Sequence, residues 1–314
     1  MLRGLCLFLL AVASVGVNAD SDAPFLWQVQ GAHATHYLLG SVHLLPDSGN
    51  DLPAGLDEAY DAVDSLVFET NVGALKQSSV QMAMMAAAKS EHGLKAEVGD
   101  PLYQSVTRKA QGLGLPASAC DDVKAWFCAM WLEVFALQKA GFSDDNAADT
   151  MLYRWAREDA KNIAWFESPS VQLGLFSGMS PQLAREFLAS EVDSSGVPGD
   201  DDPAALLRAW REDDFPAIEA LVRQFKTRYP AIYDRLLAAR NRAWMPMLKQ
   251  ILDGTTPTLV VVGAGHYAGP DGLLAQLKAR GYKVLPYTSS HQQLLTGVPP
   301  ALVRAEIPST ARPE

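Results

Sequence analysis

Two histidines stand in matching settings far apart in the chain. His43 closes Gly40-Ser41-Val42-His43 after Tyr37-Leu38-Leu39, and His266 closes Gly263-Ala264-Gly265-His266 after Thr258-Leu259-Val260-Val261-Val262. An apolar run ended by glycine reads as a buried strand leaving into a tight loop. Two carboxylates occupy comparable places, Glu69 after Ser65-Leu66-Val67-Phe68 and Glu167 after the run 162–166. Imidazole and carboxylate are the ligands of a divalent transition metal that keeps one position open for water. The same groups also move protons near neutral pH. Glycine ahead of each histidine permits a sharp turn and leaves room for a ligand close to the main chain. Either loop alone is a weak signal, since a single loop histidine is commonly bonded to backbone. The duplicated pattern and the strand-end carboxylates together point to one shared site.

Other polar groups have plainer readings. Arg240-Asn241, in a helical stretch that ends shortly before the second loop, could bind an anionic substrate or steady an oxyanion; a solvated helix face is the bland alternative. His33 and His36 lie at a hairpin turn and read as solvated, and His92 and His291 have no supporting context. Met82, Met84 and Met85 read as core filling or a helix contact, with no histidine among them to suggest copper. Lys124, Trp126 and Phe127 read as packing and snorkelling. Gly263-Ala264-Gly265 is not a dinucleotide fingerprint: the third glycine falls at Gly269, one place late, and the next strand ends without an acidic residue. No Walker lysine and no His-Glu-x-x-His is present.

The elements that must position these groups follow from pattern. Residues 25–29 and 36–40 predict a hairpin leading into the first loop, residues 53–63 a helix opened by Pro53, and residues 65–68 the next strand. Helical patterns cover 77–90, 101–112, 123–140, 147–160 and 203–252, the last expected to break near Pro216, Pro230 and Pro246. Asp144-Asp145 and Asp200-Asp201-Asp202 mark helix starts, and 194–203 reads as a surface loop. One strand, 162–166, interrupts the helices. A strand at 258–262, a helix at 271–280 and a strand at 282–286 close the pattern. The economical architecture is an α/β domain over residues 20–290. Its central mixed sheet is completed by the N- and C-terminal segments, and a large helical insertion occupies about 74–252. Strand carboxyl ends in such sheets are where ligand loops gather.

The whole chain sets the setting. Arg3, the apolar run 5–17 and Val17-Asn18-Ala19 make an expected signal peptide over 1–19, cleaved near Ala19, which predicts a periplasmic or secreted protein. Removing those 19 of 314 residues leaves 295, and losing Arg3 takes the formal charge from −10 to −11. That acidity argues against nucleic acid and anionic lipid as partners, and no later stretch has the length of a membrane span. The tail 291–314, with four prolines, predicts irregular structure. In an oxidising compartment Cys120 and Cys128 form either a disulfide or two free thiols. A single straight helix would hold them about 12 Å apart, so a bridge requires Cys120 to sit in the 116–121 turn, folded back on the next helix.

Gly40-Ser41-Val42-His43-Leu44-Leu45, Phe68-Glu69-Thr70, Arg240-Asn241 with Trp244, and the run from Gly263 through Pro270 to Leu273 together resemble the TraB/GumN family, which includes the TIKI metalloproteases. The resemblance covers nearly all of the chain after Ala19, and the last motif is the most specific. Glu167 and Gln172 are similar to the family's acidic strand end and following helix, while Lys124-Ala125-Trp126 departs from its usual Lys-Pro-Trp. The resemblance implies an α/β fold with a metal-dependent hydrolytic site. His43, His266 and Glu69 would be the metal ligands (Mn, Co or Zn), Glu69 alternatively the base, and Arg240 and Asn241 the polar pair beside them. Glu167 is a possible additional site residue. The expected function is a periplasmic metal-dependent hydrolase of peptides or another small envelope substrate. A peptide- or envelope-factor-binding protein without turnover is the alternative, and metal or haem handling through the same histidines a third.

Overall fold

The hairpin forms where alternation places it. Strand β1 (Leu26–Gln30) pairs antiparallel with β2 (Thr35–Ser41), Leu26 opposite Leu39 and Gln30 opposite Thr35. The structure, a computed structural model, describes residues 25–43, 45–46, 52–53, 55–143, 147–192 and 205–287. The expected leader (1–19), tail (291–314), Asp144-Asp145, and the loop 194–203 with its Asp200–Asp202 run lie outside the described residues. Strand β3 (Leu45–Pro46) pairs antiparallel with β5 (Phe142–Ser143) in a small ribbon. Strands β4 (Ser65–Thr70), β6 (Asn162–Glu167), β7 (Thr258–Gly263) and β8 (Lys283–Pro286) join β1 and β2 in one six-stranded sheet, ordered β6-β4-β7-β2-β1-β8.

Strands β6, β4, β7 and β2 are parallel, and β1 runs antiparallel to both β2 and β8. The sheet is therefore mixed and is completed from both ends of the chain, as the sequence predicts. Strand β7 lies between β4 and β2, and residues 258–262 are all buried. Burial on both faces explains why this strand shows an unbroken apolar run instead of alternation. Strand β6, inside the nominal helical insertion, forms one edge of the sheet.

Alternation sorts the strands onto two faces. Leu38, Val67, Val260 and Val262 pack with Trp244, Met245, Leu248 and Leu252 of helix Ala239–Leu252. Leu39, Leu66, Phe68, Leu259 and Val261 pack on the other side with Leu56 and Ala59 of helix Leu56–Asp61 and Leu152 and Ala156 of helix Ala148–Glu158. A second helical core gathers Leu94, Val106, Trp126, Leu132 and Leu188 from helices Leu94–Val98, Asp100–Gly112, Ala125–Lys139 and Pro181–Val192. Cys120 and Cys128 are bridged there, with Cα atoms 5.6 Å apart. Cys120 precedes the helix in a turn, which is the geometry that the bridged alternative requires.

Four expectations need correction. The helix expected from Pro53 begins at Leu56, because Gly55 at φ 78° breaks the backbone path just before it. Pro246 does not interrupt helix Ala239–Leu252. The lost N–H and ring clash, about 3 kcal/mol, are offset by burial of Trp244, Met245, Leu248 and Leu252. His36 is not solvated but fully buried, because its position in β2 puts it under the end of that same helix, beside Leu252. Met82 and Met85 are exposed, since helix Ser78–Ala88 buries only Ala88.

Candidate functional site

The carboxyl ends of β4, β6, β7 and β2 meet the start of helix Ala239–Leu252, and the predicted groups come together there. Glu69 leaves the end of β4 and spans to the end of β7, where its Oε1 accepts the Gly263 N–H at 2.7 Å. Its Oε2 accepts from Arg240 Nη2 at 2.7 Å. Glu167, at the end of β6, accepts from Arg240 Nη2 at 3.0 Å and from Trp244 Nε1 at 2.8 Å. The Trp244 ring stacks on Phe166, lies under the guanidinium, and contacts the His266 ring with centroids 4.5 Å apart. Arg240, Asn241 and Trp244 fall on one helix face, which explains how a single helix reaches three strand ends.

His266 sits in a short 3-10 turn directly after β7 and is buried. Asn241 fixes its tautomer. The amide Nδ2 donates to the carbonyls of His266 and Asp271 at 3.0 and 2.9 Å, so Oδ1 must be the atom 2.6 Å from His266 Nδ1. Nδ1 therefore carries the proton and Nε2 offers a lone pair. Arg240 Nη1 donates to that lone pair at 3.0 Å. With both amide protons engaged, Asn241 holds His266 and has none left to donate to a substrate oxyanion.

His43 follows the same logic from the opposite wall. Its Nδ1 lies 2.8 Å from Oδ2 of Asp149 on helix Ala148–Glu158, and its side chain is 62% exposed. A carboxylate on Nδ1 turns Nε2 toward the site, the arrangement that supports histidine ligands in metal centres. The two imidazoles and Glu69 share one small space. A Cβ built on Gly263 would lie 3.1 Å from Glu69 Oε1, 3.7 Å from His266 Cδ2 and 3.7 Å from His43 Nε2. Gly263 has φ −53°, an ordinary backbone. Its glycine is needed for this space and not for a turn. Gly40 serves similarly, its Cβ position lying 3.2 Å from Ala264 Cα, so that the second loop can cross the first.

The electrostatics are those of an enclosed cation–anion cluster. Burial pushes the Glu69 carboxyl up, but His266, Arg240 and His43 together with the Gly263 N–H hold it well below the ordinary carboxylate range. Burial, with the Arg240 charge, takes His266 down to about 3 against the pull of Glu69. At His43 the surrounding protein disfavours the charge, and the Asp149 carboxylate with Glu69 more than reverses this, so the direction is up.

Two imidazoles and a carboxylate are residue types that a divalent transition metal takes. In this structure the Arg240 guanidinium takes the lone pair of His266 and one oxygen of Glu69. Among the described residues, no three His, Cys, Asp or Glu side chains stand in coordinating geometry. Sequence reasoning reached His43, Glu69, Glu167, Arg240, Asn241 and His266, and the fold brings all six to this place. It missed Asp149, a lone acid on a helix with no local signal, and the hub position of Trp244, which four-residue spacing from Arg240 would have indicated. It also missed the π-helical turn Asp234–Ala238, from which Leu236 offers its carbonyl to Arg240 Nη1 at 3.1 Å. Such turns mark functional positions in helices.

The sequence model of the TraB/PrgY/gumN family matches residues 25–286. No curated protein and no solved structure matches the chain.

Proposed function

We propose that this chain, which belongs to the TraB/PrgY/gumN family, is a metal-dependent hydrolase of peptides or other small envelope substrates. One observation carries the reading: both histidines have Nδ1 held by a dedicated partner, Asp149 or Asn241, so that both Nε2 atoms are presented beside the Glu69 carboxylate. Holding an imidazole in one tautomer and one orientation is of use when the other nitrogen binds a metal or a proton in transit. His43, His266 and Glu69 would hold a manganese, cobalt or zinc ion. Such an ion supplies Lewis acidity and brings the pKa of a bound water to about 7. Glu69, kept ionised by its surroundings, would be the third ligand or, alternatively, the base that accepts a proton. Arg240, already inside the cluster, supplies positive charge for a developing oxyanion, on the order of 3 kcal/mol for a well-placed donor.

The expected periplasmic location is supported by the leader-like first 19 residues. It is supported also by the Cys120–Cys128 bridge, a bond that persists in oxidising compartments. A second reading, a peptide- or envelope-factor-binding protein without turnover, is favoured by Arg240 occupying the donors of His266 and Glu69. Metal analysis of purified wild type, His43→Ala and His266→Ala, with a peptide-library digest in the presence and absence of chelator, separates the two. The hydrolase reading expects metal in wild type and little in either variant. It also expects cleavage that chelation abolishes and that Glu69→Gln lowers at least a hundredfold. Equal metal content in all three proteins removes it.

A further inference from the structure

The two edges of the sheet are unlike. A strand edge presents unpaired N–H and C=O groups that another chain can pair with, and proteins blunt such edges with short strands, lysine and proline. Strand β8 carries all three: it has 4 residues, opens on Lys283 and closes on Pro286. Strand β6, at the other end of the strand order, carries none of them. Its 6 residues run Asn162-Ile163-Ala164-Trp165-Phe166-Glu167, with no charge before the last.

The ladder shows which groups face outward. The Asn162 N–H donates to the Asp64 carbonyl at 3.0 Å, and Asn162 is level with Ser65 of β4. Alternate residues of a strand turn their backbone groups to the same neighbour. Asn162, Ala164 and Phe166 therefore face β4, and Ile163 and Trp165 point their N–H and C=O groups away from the sheet. Among the described residues β6 pairs with β4 alone, and no backbone group bonds to the outer side of Ile163 or Trp165. The Trp165 ring there is 40% exposed.

An edge of this kind takes an extended chain, and the sequence of β6 indicates which. Antiparallel pairing sets outward residues opposite outward residues. With Ala164 opposite its own copy, Ile163 meets the partner's Trp165 on each side of a two-fold axis, and each pair exchanges both backbone hydrogen bonds. Ile163 and Trp165 share one face of the strand, level with Leu66 and Phe68. A β-branched side chain opposite an aromatic one is a favoured cross-strand contact, and here it covers the ring that a lone protomer leaves exposed. Asn162 falls opposite the partner's Phe166 and Lys161 opposite the partner's Glu167, so no like charges meet. Ala164 lies on the axis in a pair without backbone bonds, where side chains come closest and a methyl group fits. Shifting the register by two residues toward Glu167 would set that carboxylate opposite the partner's Ile163.

We propose that β6 pairs antiparallel with β6 of a second copy of this chain, about a two-fold axis at Ala164, joining the two six-stranded sheets into one. Because the paired strands run in opposite directions, the two candidate sites open at opposite ends of the joined sheet. Each is complete within its own protomer, so this inference does not rest on the hydrolase reading.

Sedimentation equilibrium of wild type, Trp165→Lys and Ile163→Pro tests it, with circular dichroism to check the fold. Trp165→Lys gives β6 the residue type that guards β8, and Ile163→Pro removes an N–H that the β4 ladder does not use. The expected result is a concentration-dependent monomer–dimer equilibrium in wild type that is at least tenfold weaker in each variant. Cross-linking of Ala164→Cys is the second measurement and decides alone should either edge variant misfold. Opposed Cα atoms at the axis would lie about 4.5 Å apart, within disulfide reach, and Cys120 and Cys128 are already bridged to each other. Under mild oxidation Ala164→Cys should form a covalent dimer at least tenfold faster than Ser79→Cys, on the exposed side of helix Ser78–Ala88. Wild type that stays monomeric into the millimolar range, a dimer undisturbed by both edge variants, or equal cross-linking at the two cysteine positions overturns the proposal. Binding of a Thr-Val repeat peptide by a monomeric wild type would also overturn it and assign the edge to extended peptides of other chains.

Discussion

Arg240→Met removes the guanidinium that pairs with two buried carboxylates, Glu69 and Glu167, while keeping a side chain of similar length. Arg240 is 11% exposed, Glu69 8% and Glu167 7% at the side chain, so solvent screens these pairs little. Removing one partner of a buried ion pair destabilises a protein by about 3–5 kcal/mol, because the other charge stays buried without compensation. Here the Gly263 N–H still donates to Glu69 and Trp244 Nε1 to Glu167, which places the expected loss near the lower bound. Against a typical stability of about 5–15 kcal/mol, such a loss is large. The pH dependence supplies the sharper check. In wild type Glu69 titrates below its ordinary 4.5, so its contribution is present above that pH and is lost as pH falls through the depressed value. Without the guanidinium the folded-state pKa of Glu69 rises, because one of the groups that hold it down is gone, so the variant takes up a proton at Glu69 at a higher pH than wild type does. The gap between wild type and variant must therefore be widest at neutral pH and narrow as pH falls through the acid range. Urea unfolding at several pH values measures it, and Arg240→Lys, which keeps the charge but not the fork, should lose less at every pH. A loss under about 1 kcal/mol at pH 7.5, or a loss independent of pH, refutes the account of Arg240 as the counter-ion of the cluster.

Two further outcomes follow from features outside the site. The Cys120–Cys128 bridge closes a loop with a sequence separation of 8, and the chain-entropy estimate for so short a loop is about 2–3 kcal/mol. Cys120→Ser/Cys128→Ser should therefore melt several degrees below wild type, and reductant should lower the wild-type midpoint alone; a midpoint indifferent to reductant counts against the bridge. His36 is buried, neither ring nitrogen makes a well-formed hydrogen bond among the described residues, and burial lowers its pKa below 6.5 against the opposing pull of the Leu252 carbonyl. Its neutral form is favoured in the folded state, so stability is full above 6.5 and declines as pH falls through the folded value. Between pH 7.5 and 5, wild type should lose stability faster than His36→Phe, by at most about 1.4 kcal/mol per pH unit. Identical slopes in urea unfolding would show that His36 binds its proton equally in the folded and unfolded states, and would refute the lowered value.

What was legible in the fold depended on how much of each signal is local. The hairpin and β7 announce themselves through alternation and through an unbroken apolar run, so both were placed within a residue or two. The break before Leu56 depends on Gly55 turning left-handed, and glycine is compatible with many backbone states, so its presence alone does not say where a helix starts. Pro246 misleads for the opposite reason. Its penalty is local, while the compensating burial of Trp244, Leu248 and Leu252 comes from strands distant in sequence. His36 belongs to the same class: adjacent to a turn in sequence, it is covered by the end of a helix that starts some two hundred residues later.

The candidate site shows why strand ends were the productive place to look. A strand fixes where its last residue emerges, so Gly-x-x-His loops and strand-end glutamates carry positional information even in a single sequence. The strands are also neighbours: β4 and β2 each pair with β7, which brings Glu69 to Gly263 and Ser41 beside it. Groups delivered by helices lack that advantage. Asp149 reaches His43 from a helix on one face of the sheet, and Arg240 reaches Glu69 from a helix on the other. Which helix covers which strand end is decided by packing across the whole domain. The consequence is a division of labour that the residue types do not reveal by themselves. The strand ends of β4 and β6 and the loops after β2 and β7 supply Glu69, Glu167, His43 and His266. The covering helices supply Asp149 and Asn241, which fix those histidines, and Arg240, which neutralises the glutamates. The reactive groups are thus fixed to the sheet while the groups that tune their charge ride on the helices. Movement of helix Ala239–Leu252 away from the sheet would uncover the lone pair of His266 and the carboxylate of Glu69 together, because one guanidinium covers both.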